Sequence, residues 1–141
     1  MRDEYTITFR KVIQETLDET GYTIPDDIEL YITELLAYFI DKSDFLPRTF
    51  AEELYKIDKR SGFTAKELGD TCLFVTGVFP SYGKKYGLNK SYYKNIGKAS
   101  YDQASKILNY SLFSSLCMHY DFLESFITRV TSKPIPIIRI G

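Results

Sequence analysis

At 141 residues the chain suits a single domain, and a core of this size stands without disulfides or a structural metal. Its 44% apolar and 26% charged residues are those of an ordinary globular protein, and two cysteines exclude a secreted disulfide framework. The net charge of −1 weighs against a general nucleic-acid binder, although it averages two unlike halves: 14 acids and 8 bases in residues 1–60, then 5 acids and 10 bases in residues 61–141.

Phe9, Val12, Ile13, Thr16 and Leu17 recur at the spacing of one helical face, and Gly21 follows where a left-handed residue ends a helix. Thr23-Ile24-Pro25-Asp26-Asp27 reads as the next helix start, with a tolerated proline and acids at the positive end of the dipole. That second helix carries Ile28, Tyr31, Ile32, Leu35, Leu36 and Phe39 on one side. Two capping boxes follow. Thr49-Phe50-Ala51-Glu52 opens a short helix to about Ile57, and Thr64-Ala65-Lys66-Glu67 opens a longer one to Phe79.

The 64–79 helix is apolar over most of its circumference, through Leu68, Cys72, Val75, Phe79 and their neighbours Leu73, Phe74 and Val78, and is expected at the centre of the fold. Gly69 and Gly77 each cost it about 1 kcal/mol relative to Ala, which a close helix crossing would offset. After a loop through Gly83 and Gly87, Asn89 or Ser91 caps a helix bearing Tyr92, Tyr93, Ile96, Tyr101, Ala104, Ile107 and Leu108. A break is expected near Asn109-Tyr110-Ser111. The last helix, from about Leu112 to Val130, turns Leu116, His119, Tyr120, Leu123, Phe126, Ile127 and Val130 inward. The prolines and isoleucines of Lys133-Pro134-Ile135-Pro136-Ile137-Ile138-Arg139-Ile140 favour an extended tail.

These elements predict an all-α fold: a single-domain irregular bundle of five or six helices over residues 1–132, with an extended tail at 133–141. The longest unbroken apolar run, Leu35 to Ile40, is far shorter than the ~20 residues that span a bilayer. The charged start Met1-Arg2-Asp3-Glu4 is no secretory signal. Cytoplasm is the expected location, with Cys72 and Cys117 as reduced, structural thiols.

The run Gly69-Asp70-Thr71-Cys72-Leu73-Phe74-Val75-Thr76-Gly77-Val78-Phe79-Pro80 resembles a group of bacterial all-helical proteins without an established activity. In that group a Gly-Asp pair precedes Leu-Phe and then Gly with two aromatics, and a Tyr-Tyr, a Gly and an Ala-Tyr follow on the next helix. Here Tyr92-Tyr93, Gly97 and Ser100-Tyr101 correspond, with Tyr31-Ile32-Thr33-Glu34-Leu35-Leu36 upstream. Ser100 replaces the usual Ala and Val78 the second aromatic. The resemblance implies the helical fold and carries no chemistry.

Asp70 is the residue of greatest chemical interest. A carboxylate in an otherwise apolar helix needs donors or a cation, or its pKa rises. Tyr92, Tyr93 and Tyr101 are the expected donors, as is a lysine of the 84–98 stretch. A plain interhelical hydrogen bond is the simpler role, and a ligand contact the more informative one. His119 is the sole histidine. No His/Cys cluster accompanies it, and Cys117 lies on the opposite side of the same helix, so neither a metal nor another cofactor is expected. His119 reads as a core residue that could line the same site.

Ser114 and Ser115 lack an orienting group for catalysis, and Gly83-Lys84-Lys85-Tyr86-Gly87 lacks the strand and residue order of a phosphate loop. No catalytic residue is assigned. Lys84, Lys85, Lys90, Lys94 and Lys98, interleaved with tyrosines and with no acid between Asp70 and Asp102, form a basic stretch. It suits weak nucleic-acid contact, a solvated edge, or docking onto the acidic N-terminal half within the chain or across a dimer.

The leading functional expectation is a non-enzymatic interaction or regulatory module, self-associating or binding a protein through its tail or tyrosine-rich face. The alternative is a small ligand held between helices by Asp70 and tyrosines. Nucleic-acid binding ranks below both, and no membrane partner is expected.

Overall fold

The computed structural model describes residues 2–43, 47–59, 62–78 and 89–133, and all regular structure among them is helical. In chain order the helices are α1 (Arg2–Thr20), α2 (Asp26–Ser43), α3 (Pro47–Lys59), α4 (Ala65–Val78), α5 (Lys90–Leu108), α6 (Ser111–Met118) and α7 (Tyr120–Thr131). No described helix is long and apolar enough to cross a membrane.

Local chemistry sets most boundaries where the pattern places them. Gly21 closes α1 at φ +72°, its amide donating to the Leu17 carbonyl. The second capping box forms in full: the Glu67 amide donates to Thr64 Oγ1 at 3.1 Å and the Thr64 amide to Glu67 Oε1 at 3.2 Å. Asn89 caps α5 by accepting from the Tyr92 amide, and Asn109 ends it in the left-handed region at φ 49°. The first capping box at 49–52, the end of the central helix at Phe79 and the tail beyond Lys133 lie wholly or partly outside the described residues and side chains.

Seven described helices replace the expected five or six because the last one divides. His119 takes φ −102° and ψ 17°, yet the backbone bonds run through it, its amide to the Ser115 carbonyl and its carbonyl to the Leu123 amide. His119 is exposed at this joint, while Leu116 and Tyr120 on either side of it are both fully buried. The sequence reading that put His119 in the core is corrected accordingly.

Helix α4 is the hub, packing most extensively on α5 and then on α7, α3 and α2; α1 pairs with α2, and α5 with α6. Residues 71–77 are buried on every side. The two glycines serve two crossings rather than one. A Cβ on Gly69 would lie 2.7 Å from the Tyr101 ring of α5, and one on Gly77 would lie 2.9 Å from Ile127 of α7. Both contacts are closer than carbon atoms tolerate, so the lost helix propensity is returned as interhelical approach. Phe39 of α2 stacks on Phe74 of α4 at 4.3 Å between centroids, joining the N-terminal hairpin to the hub.

Candidate functional site

Asp70 is the one residue between Gly69 and Gly77 that is not fully buried, and its side chain keeps 13% of its exposure. Three neighbours converge on it. Tyr31 of α2 donates to Oδ1 at 2.6 Å, and Tyr101 of α5 donates to the same oxygen at 2.7 Å. Lys66, one turn earlier on α4, donates to Oδ2 at 2.9 Å. Two phenols on one carboxylate oxygen and an ammonium on the other form a charge-assisted network joining three helices.

Each donor is placed by packing. Tyr31 borders the inward stripe of Ile28, Ile32 and Leu35, so its ring is half-buried while its hydroxyl points toward α4. Tyr101 is fully buried; its ring rests on Gly69, which sets its hydroxyl beside the next residue in the chain. Burial, and then the negative charge of Asp70, push both phenols well above their ordinary range. Both are therefore fixed donors at any physiological pH.

Beside this network lies a cavity of about 310 Å³, at the small end of ligand-sized pockets. Helix α2 contributes Tyr31, Glu34, Leu35, Tyr38 and Phe39; α3 contributes Lys56; the α3–α4 connection contributes Phe63; and α4 contributes Lys66, Glu67, Asp70 and Thr71. Four aromatic side chains, Tyr31, Tyr38, Phe39 and Phe63, share the walls with five charged ones, Glu34, Lys56, Lys66, Glu67 and Asp70. Lys66 Nζ also stands 5.5 Å above the centre of the Tyr31 ring, within cation–π range. Thr71 is turned to its own helix, donating to the Glu67 carbonyl, and so offers no aligned nucleophile.

Of the described residues expected around Asp70, the structure brings only Tyr101 to it. Tyr93 donates instead to Asp58 of α3 at 3.1 Å; burial and that contact push its phenol up to about 12. Tyr92 is 44% exposed and meets Tyr93 edge-to-face. His119 stands at the α6–α7 joint, on the surface, and takes no part. Two members of the site escaped the sequence reading. Tyr31 had a signal, a phenol on the apolar stripe of α2, and Lys66 had another, its i, i+4 spacing to Asp70.

The basic stretch is largely neutralised where it is described. Lys90, Lys94 and Lys98 share one face of α5. Lys90 and Lys94 reach Glu124 Oε1 at 3.1 and 3.6 Å, while Lys94 and Lys98 reach Asp121 Oδ1 at 3.3 and 3.0 Å. Docking thus occurs within the chain, onto the acids of α7 rather than onto the N-terminal half. Lys84 and Lys85 lie outside the described residues. Burial draws the Lys94 ammonium down, but Glu124 and Asp121 outweigh it and its pKa is raised. The hydrogen bond from Lys98, with those from Lys94, outweighs desolvation and lowers Asp121. Glu124 is 2% exposed, and among the described residues its Oε2 has no partner.

Among the described residues no group of three or more His, Cys, Asp or Glu side chains is disposed to hold a metal ion. Cys72 is buried and Cys117 half-buried, and neither forms a disulfide. Burial pushes the Cys117 thiol up, away from the reactive thiolate. No family model, no curated protein and no solved structure matches this chain, so the site's own geometry is what bears on its function.

Proposed function

We propose that this protein binds a small molecule in the α2–α3–α4 cavity, with Asp70 as the polar anchor and Tyr31, Tyr38, Phe39 and Phe63 as its walls. The observation that supports this most is the position of Asp70. It is the only charged residue in the stretch from Gly69 to Gly77, which is otherwise buried, it is braced by two phenols, and it borders a cavity. A carboxylate needed only to tie helices together is satisfied as well in solid packing. Bundle interiors are a usual place for such sites. The protein acts in the cytoplasm as a binding or regulatory module rather than as an enzyme.

The test is a fragment screen read by amide chemical shifts on the labelled protein, followed by Asp70→Asn. Binding that maps to Tyr31, Phe39, Phe63 and Lys66 and weakens in a folded Asp70→Asn variant is the expected result. Screening hits that never touch those residues would overturn it.

A second reading, a surface for self-association or a protein partner, has its own support. Ile107, Leu108 and Tyr110 are 66%, 52% and 51% exposed around the end of α5, an apolar group of the kind that marks contact surfaces. Light scattering that gives a strict monomer over a wide concentration range speaks against self-association there.

A further inference from the structure

We propose that the ligand of this cavity is an organic cation, an amine or quaternary ammonium carried on an apolar or aromatic body, and that Lys66 is a tethered placeholder for its charged head. The proposal rests on the cavity being a binding site and names the class of molecule it takes.

Lys66 occupies a place its own helix does not favour. It lies in the first turn of α4, at the positive end of the helix dipole, where a cation is unfavourable. It also precedes Asp70 in the i, i+4 pair, the weaker of the two orders. Its ammonium has one partner on its own helix and one on α2. Asp70 Oδ2 lies 2.9 Å away and the Tyr31 ring lies beneath at 5.5 Å. A carboxylate on one side and an aromatic face on the other make the recognition unit for an ammonium group.

The remaining walls agree. Three carboxylates, Asp70, Glu34 and Glu67, line the cavity with two lysines, Lys56 and Lys66, so the lining carries net negative charge and grows more negative when Lys66 leaves. Departure is simple, because the Lys66 side chain is already 45% exposed and its head is as well solvated in water. Tyr38, Phe39 and Phe63 then receive the apolar body. An anion entering the same space would meet Asp70 head-on, next to phenols that are already committed as donors to it.

Three compounds with one phenylethyl body and different heads decide the matter: 2-phenylethylamine, 2-phenylethanol and 3-phenylpropionate, titrated into the labelled full chain and followed at the cavity residues. The amine is expected to bind about fivefold or more tighter than the alcohol, with the carboxylate weakest. Lys66→Met, which keeps the stem and removes the competing charge, is expected to tighten the amine about three- to tenfold and leave the alcohol unchanged. Asp70→Asn is expected to erase the amine's advantage. Should that variant unfold, the wild-type ranking and Lys66→Met decide alone. An alcohol or carboxylate that binds at the cavity as well as the amine overturns the cation assignment while leaving the cavity a binding site. Weaker amine binding in Lys66→Met overturns the placeholder. No response at the cavity to any of the three, in either protein, overturns both readings.

Discussion

The ring of Tyr101 occupies the space that a Cβ on Gly69 would need, with ring carbons only 2.7 Å from that position. The same contact delivers the Tyr101 hydroxyl to Asp70, the residue after the glycine. One missing methyl group thus sets both the α4–α5 crossing and the polar site.

Gly69→Ala is therefore expected to destabilise the protein by about 1–3 kcal/mol through overpacking, against the gain of about 1 kcal/mol that helix propensity alone predicts. Tyr101→Phe keeps the ring and should not relieve the clash. Urea denaturation of the single and double variants checks the sign. A stabilised Gly69→Ala protein would mean the crossing is looser than described.

Removing the donors one at a time separates their roles. Tyr31→Phe and Tyr101→Phe each delete a hydrogen bond to a charged acceptor and are expected to cost about 1.5–3 kcal/mol. Because they share Oδ1, the double variant should depart from additivity by at least about 0.5 kcal/mol. Asp70→Ala should cost more than either single change, since it leaves two phenols without their acceptor. Chemical denaturation of the full cycle measures all four terms.

Alkaline pH should loosen the fold. A phenol whose folded-state pKa is raised contributes stability that is whole below its ordinary value of 10.0 and is lost as pH climbs through the folded value. Tyr93 is pushed up to about 12, and burial raises Tyr31, Tyr101 and Tyr120 as well. Lys94 adds to the same trend, its contribution being lost above 10.5. Phenolate absorbance and far-ultraviolet dichroism should show these tyrosines ionising together with unfolding rather than ahead of it.

The α5–α7 ion ladder should prove unequal along its length. Asp121 is 64% exposed, and Asp121→Asn is expected to cost no more than about 1 kcal/mol, less in high salt. Its lowered pKa means its share of stability is present above 3.8 and fades as pH falls through the folded value. Glu124 is buried against the same lysines. Glu124→Ala is expected to cost about 1–2 kcal/mol, below the usual figure for a broken buried pair because Lys90 can turn to solvent. Denaturation midpoints of the two variants in low and high salt make the comparison.

The helical class, the ends of α1 and α5, the capping box at Thr64 and the central place of α4 all follow from residues near one another in the chain. Spacing, caps and left-handed glycine or asparagine act over one or two turns, and a sequence displays such ranges directly. Glycines in the hub helix announced a close approach, but not that Gly69 would meet α5 and Gly77 would meet α7. Asp70 was legible as a carboxylate in need of donors. Which phenols answered it was not, because Tyr31 lies 39 and Tyr101 31 positions away, and Tyr93, about two turns before Tyr101 on α5, meets Asp58 of α3 instead. Only the packing of three helices decides such choices, and it alone left space beside the carboxylate.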